Sequence, residues 1–233
     1  MTVTDNTPID VTSQIVFGGY TGMAYNRVMA KTAGRRPPLP AESVDAERVL
    51  AFVNTLSSRP TSAPVERLDS YHSLVAWARE QHLVSAAAAE RLGAQARKHP
   101  HQAAAVLARA KDFREALNGL ASAIDAGRQP GGDVLETIGE CLAGAYANAR
   151  LVPHEGALQW VASAEDDLDR VLWEIGRAAG RLVVSPRLAR VRACAASDCG
   201  WWFVDDTKNR SRRWCDMKLC GNREKLRRFR AKN

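Results

Sequence analysis

Four of the five cysteines in this chain, Cys194, Cys199, Cys215 and Cys220, lie within 27 residues of one another, and no other feature constrains a local fold as tightly. The spacing is Cys-x4-Cys, fifteen residues, Cys-x4-Cys. Two separated pairs of soft ligands supply the tetrahedral set that Zn2+ prefers, at spacings within the usual range. Disulfide pairing is the rival reading and suits an oxidising compartment. The opening MTVTDNTPIDVTSQ is polar, without a basic-then-apolar signal pattern, and Arg35-Arg36 has no apolar stretch behind it. A cytoplasmic location with reduced thiols is therefore expected. A segment of about 45 residues with few apolar side chains cannot bury enough surface unaided. Structural zinc supplies on the order of 10–16 kcal/mol of apparent folding free energy in finger peptides. With thiolate in all four positions no open coordination site remains, so one structural Zn2+ is expected rather than a catalytic one. Cys141 stands alone in an apolar helical pattern and reads as a buried small hydrophobe.

Charge is distributed as unevenly as cysteine. Residues 187–233 hold 14 Lys+Arg against 5 Asp+Glu, a net of +9, whereas residues 1–186 hold 19 against 21, a net of −2. Such asymmetry points to a module for nucleic acid or an acidic surface. No apolar run approaches the roughly 18 residues of a membrane span.

The rest of the chain reads as mostly helical. Residues 1–42 look irregular: VFGGYTGMAY has glycines but no phosphate-loop Lys-Ser/Thr pair, and GRRPPLP reads as an extended linker. Ser43 can cap a first helix in which Val49, Leu50, Phe52, Val53 and Leu56 crowd one side. A second helix follows Asp69, Ser85 caps an alanine-rich third, and Pro100 opens a long fourth that ends near Gly127. Asp133 and Glu136 form a capping-box pattern for a fifth. Leu151–Val152 and Ala157–Val161, flanking Glu155-Gly156, read as a short hairpin. Ser163 starts a sixth helix running to about Val184, with Glu165, Asp166, Asp167 and Asp169 complementing its dipole. Trp77, Tyr146, Trp160 and Trp173 are core residues or candidates for lining a ligand pocket. The pattern breaks at Pro186, giving three expected segments: an irregular 1–42, a helical domain over 43–186 and a basic module over 187–233.

In that module Trp201, Trp202, Phe203 and Val204 are strand-forming, and a hairpin should carry the first cysteine pair. The tryptophans either fill a small core beside the metal or stack on unpaired bases. A helix should begin near Asp216, with Leu219, Leu226 and Phe229 inward and Arg223, Arg227 and Arg230 along one face. Lys218, Lys225 and Arg228 widen that charge, and Lys208, Arg210, Arg212 and Arg213 add a basic loop. Such a helix suits a DNA major groove, with Arg reading guanine and the other cations holding phosphates.

Cys194-x4-Cys199, the RRWC ending at Cys215 and the CGNR of Cys220–Arg223 resemble the CGNR zinc finger. Upstream, VLAFVNTL (Val49–Leu56) and LVAWAREQHLVS (Leu74–Ser85) resemble the ABATE domain that usually precedes that finger. The resemblance implies a bacterial stress-induced transcription regulator, with a DNA-binding C-terminus and an N-terminal sensing or dimerising domain. By that matching the four cysteines carry the metal, and Asn222 and Arg223 support the finger or touch DNA. Asn54 and Thr55 match the helical motif and suit a buried polar bond, while its usual acidic position is Ala51 here.

The fold class that follows is mostly α: a helical domain with a short β-hairpin, then a small zinc-stabilised β-hairpin/helix module. The functional expectation is a transcription regulator bound to double-stranded DNA, compatible with a small-molecule effector and a homodimer reading paired half-sites. An adaptor docking an acidic protein surface and an RNA-binding protein are the alternatives. An enzyme is not expected: His72, His82, His99, His101 and His154 are scattered, and no serine elbow, phosphate loop or metalloprotease helix occurs.

Overall fold

The computed structural model describes residues 41–154 and 156–231. The glycine-rich stretch, the proline linker and Glu155 lie outside the described residues, as does the expectation for 1–40. From Leu39 onward the chain forms one compact unit. Its helices are α1 (Ala41–Val53), α2 (Tyr71–Glu80), α3 (Ala86–Lys98), α4 (Pro100–Asp125), α5 (Gly132–Ala147), α6 (Arg170–Val183) and α7 (Asn222–Arg230). Three antiparallel two-stranded ribbons punctuate them: β1 (Leu56–Ser57) with β2 (Val65–Glu66), β3 (Ala149–His154) with β4 (Ala157–Ala162), and β5 (Val191–Ala193) with β6 (Trp202–Val204). The fold is mostly helical with small hairpins, as the periodicity implies. No helix among the described residues is long and apolar enough to cross a membrane.

Helix ends follow local chemistry more often than not. Ser70 and Ser73 bond reciprocally to open α2, and the Ser85 side chain accepts from the Ala88 N–H to open α3. Pro100 occupies the first turn of α4, which ends before Gly127 at φ +63. Three expected starts differ. Ser43 lies inside α1, which begins at Ala41, so it is not a cap. Gly131 precedes α5 and no side chain caps it, so the Asp133/Glu136 box does not form. The acidic cluster precedes α6 instead of sitting in its first turns: Glu165 and Asp166 bond to Arg91 of α3, and Asp169 pairs with Arg109 of α4. Carboxylates that can reach arginines on two neighbouring helices tie those helices together before a dipole can organise them.

The core lies where α1, α2, α4 and α6 meet, with Phe52, Leu74, Phe113 and Val171 fully buried. Helix α6 buries nine residues and packs against α1 and α5. Its Gly176 permits the approach to α5, since a Cβ there would stand 2.8 Å from the Ala145 Cβ. Cys141 is half-buried against this core, and burial, with Glu140 nearby, pushes its thiol up to about 11. Helix α1 stops at Val53, and the chain turns into β1. That turn brings β2 beside α4, where Glu66 pairs with Arg114 at 2.7 Å through both carboxylate oxygens. Arg114 is 3 % exposed and also donates to Thr55 Oγ1 at 3.1 Å. Burial alone would raise the Glu66 carboxyl, but Arg114, the Leu68 N–H and Lys111 bring it to about 2.

Candidate metal centre and basic surface

After α6, Pro186 opens a 3-10 turn (Pro186–Arg190) that delivers the chain into β5. The β5–β6 ribbon pairs Val191 with Val204, Arg192 with Phe203 and Ala193 with Trp202. Cys194 and Cys199 sit in the connection between those strands, as a hairpin carrying the first pair requires. Alternation along β6 divides its side chains. Trp202 and Val204 enter the helical core, and Phe203 faces the cysteines. Trp202 is thus a core residue of the body, not filling beside the metal: its indole N–H donates to Asn118 Oδ1 at 2.9 Å. Trp201 packs against the cysteine cluster and remains half-buried.

The second pair is placed by a tight turn and a helix. Asp216 caps a π-helical turn (Met217–Gly221), accepting from the Leu219 N–H at 2.8 Å, and α7 follows directly. The four sulfur atoms lie within 4.8 Å of one another. Cys215 Sγ stands 3.6 Å from both Cys199 Sγ and Cys220 Sγ. A disulfide needs about 2.05 Å, whereas four thiolates about 2.3 Å from one zinc stand about 3.8 Å apart. All four are free thiols rather than disulfides. The cluster is positioned to coordinate a single structural zinc ion. Outer partners are in place as well: the Cys215 N–H approaches Cys194 Sγ at 3.4 Å and Arg223 Nη2 approaches Cys220 Sγ at 3.3 Å. Burial and neighbouring sulfurs push Cys199 up to about 12 and Cys215 higher still. Burial would raise Cys194 too, but the N–H groups of Cys215 and Ala196 outweigh it and lower that thiol. A divalent cation is the charge that lets all four sulfurs ionise together.

The β5–β6 ribbon and the first cysteine loop of the finger are bonded to the helical body. Asn54, at the end of α1, clasps the Trp202 main chain, donating to its C=O and accepting from its N–H, both at 2.9 Å. The Ser58 N–H donates to the Cys199 C=O at 3.0 Å, and Arg192 pairs with Asp125 at 3.1 Å. Gly200, at φ +68, leaves room for the β1–β2 loop: a Cβ would fall 2.7 Å from Pro60 Cδ. The Asn54-Thr55 pair is therefore buried and bonded, as expected, but Asn54 bonds to the finger and Thr55 receives Arg114.

The basic residues separate into two groups. Arg212 donates to the carbonyls of Trp214 and Cys215, and its guanidinium lies 4.6 Å over Phe203. Arg223 and Arg227 both bond to Asp198 in the first cysteine loop, which holds that carboxyl below its ordinary value. Lys208, Arg210, Arg213, Lys218, Lys225, Arg228 and Arg230 are exposed. None of these seven has a carboxylate partner among the described residues. The inward placement of Leu219, Leu226 and Phe229 is not observed, since they are 68 %, 49 % and 66 % exposed. The helix has turned its Arg223–Arg227 side toward the knuckle, where ion pairs with Asp198 replace apolar burial. Two organising acids escape a reading by charge. Asp198 is one; the other is Asp205, fully buried, which accepts from the N–H groups of Thr207 and Arg212 and shapes the basic loop between them. Their signal is only an acid at a turn in a basic segment.

The four aromatic candidates do not converge on one pocket. Trp77 lies beside Phe52 at 5.3 Å, Tyr146 and Trp160 meet edge-on at 5.9 Å in partial exposure, and Trp173 is buried with Ala145 and Ala162.

Residues 190–233 match the CGNR zinc finger family model, and residues 46–186 match the ABATE model, described as "Putative stress-induced transcription regulator". Both are regulatory or zinc-finger modules rather than catalytic domains. Among curated proteins there is no match to this chain. The helical body, whose Asn54 clasps Trp202, and the finger that carries the sulfur cluster are the parts those two models cover, and the chain belongs to the ABATE family, with a CGNR zinc finger following that domain.

Proposed function

We propose that this chain regulates transcription by binding duplex DNA through the exposed cations of its finger, while the helical body receives the signal. The division of the finger's cations supports the reading. Arg212, Arg223 and Arg227 hold the finger together, and the seven exposed cations named above are left for a polyanion. Lys225 and Arg228, three residues apart, share a side of α7 turned away from Arg223 and Arg227. A single helix of this size suits the major groove, where Arg can bond guanine while Lys and the loop cations hold phosphates. The four cysteines carry the one structural zinc that keeps loop and helix in register. A homodimer would present two such helices to paired half-sites.

The RNA alternative loses support because Trp202 is buried and bonded, so the tryptophan pair offers no open stacking platform. The test is an anisotropy titration of the zinc-loaded chain on duplex DNA across a salt series. Five to six phosphate contacts predict a slope of log K against log salt of about −5. A flat salt response, or binding unchanged after complete metal removal, overturns the proposal. Preferential competition by single-stranded RNA or by an acidic protein would move it to one of those partners.

A further inference from the structure

The finger and the helical body enclose a cleft of about 420 Å³ between α1, α2 and the segment around β6. That volume suits a small molecule. Trp77 and Trp201, both half-buried, give it flat aromatic walls. Much of its polar lining already has partners. Arg187 pairs with Asp206 at 2.7 Å, Arg212 is bonded to main-chain carbonyls, and Asn54 clasps Trp202.

The remaining charges are separated along the cleft. Arg67 has no carboxylate partner among the described residues, and its guanidinium lies 5.9 Å from the Trp201 ring. Its main-chain N–H donates to the Thr55 C=O, which fixes it at the C-terminal end of α1. Glu47 and Glu80, also in the lining, have no cationic partner among the described residues. Glu47 lies two helical turns before Asn54, about 10 Å along the axis of α1. Gln81, next to Glu80, is held at that same level by the bond from Arg48 Nε to its C=O at 3.0 Å. The cleft therefore has, among the described residues, a cation without a carboxylate partner at one end, stacked over Trp201, and carboxylates without a cationic partner at the other, with Trp77 also in the lining.

We propose that this cleft is the effector site, and that it takes a flat aromatic molecule bearing a carboxylate at one end and an amine at the other. The carboxylate meets Arg67, which can bond it through two N–H groups. The ring lies against Trp77 and Trp201, and the ammonium meets Glu47 and Glu80. Because Cys215 and Arg212 also line the cleft, an occupant touches α1, α2 and the metal-bearing knuckle at once. The proposal deepens the signal-receiving role given above and rests on it for its purpose, not for its geometry.

The test uses the full zinc-loaded chain, calorimetry and tryptophan fluorescence, and three probes: 4-(aminomethyl)benzoate, benzoate and benzylamine. The zwitterion is expected to bind at least about tenfold tighter than either half-molecule, one unpaired charge being met at each end. Arg67→Ala should lower its affinity to that of benzylamine, and the double variant Glu47→Gln, Glu80→Gln to that of benzoate. All three side chains are exposed, so folding is checked by an unchanged thermal transition. Absence of zwitterion binding, equal affinity for the three probes, or full affinity in Arg67→Ala overturns the proposal. Duplex DNA anisotropy on the same samples separates the two readings. Lost probe binding with DNA binding intact removes only the cleft; lost DNA binding with probe binding intact removes the regulator and leaves the cleft.

Discussion

Helices α6 and α7 belong to one compact unit and are held in it by different physics. Helix α6 buries nine residues, among them Val171, Ile175 and Leu182, and the hydrophobic effect is enough to fix it. Helix α7 buries none. It is positioned by the Cys220 turn that precedes it and by the two arginines that reach Asp198. A helix held at its first turn by a metal centre and on one flank by ion pairs can offer its remaining surface to a partner. A helix held by burial cannot. The body is held by burial and the finger by its cysteine turn and ion pairs, and the stitches at Asn54, Ser58 and Asp125 join the two.

The largest expected effect tests that division directly. Chelation, or Cys215→Ser, should remove the on the order of 10–16 kcal/mol that structural zinc supplies to finger folding. DNA binding should vanish while far-UV circular dichroism retains most of the helical signal of α1 to α6. A global loss of helicity would mean that the body depends on the metal as much as the finger does.

The next effect lies inside the body. Glu66→Gln leaves the buried Arg114 without its bidentate partner and should cost about 3 kcal/mol in denaturant unfolding. The carboxyl is depressed to about 2 from an ordinary 4.5. Its contribution is therefore complete above about pH 4.5 and lost as pH falls toward 2, because the unfolded chain takes up the proton first. The variant should flatten the acid limb of the stability profile over that window, and an unchanged limb would remove Glu66 from the account.

Asn54→Leu tests the stitch between the regions. It strips the Trp202 main chain of both partners and should cost about 2 kcal/mol. Hydrogen exchange should show the loss at β6 and the cysteine loop before it appears in α4 or α6. Uniform loss across both regions would mean that body and finger are not separable units. The smallest effect separates the finger's two kinds of cation. Arg228→Ala should leave the thermal transition unchanged and make the DNA salt slope about one unit shallower. Arg227→Ala, which frees one side of Asp198, should lower the finger's own transition. Equal behaviour of the two variants would erase the distinction between presenting and bracing arginines.

Local signals read from the sequence held where the chemistry is local. Ser85 and Pro100 open their helices, the Ala157 ribbon forms, and Asp216 caps the turn into α7. They failed where a distant partner competed. The acids at 165–169 lie next to α6 in sequence but opposite Arg91 and Arg109 in space, and no reading of a single helix contains those arginines. Leu219 and Leu226 have inward spacing but are exposed among the described residues, where the knuckle offers α7 Asp198 instead of an apolar surface.

The amino-acid sequence by itself determined the four sulfur ligands, the helical body and the concentration of positive charge in the last fifth of the chain. Those depend on residue type and short spacing. Only the tertiary structure decided which arginines are bound and which are displayed, that Trp202 belongs to the body's core, and that a cleft opens beside Cys215. Each of these outcomes depends on which surface folds opposite a given side chain. That pairing is fixed by the packing of elements as much as 148 residues apart, as Asn54 and Trp202 are.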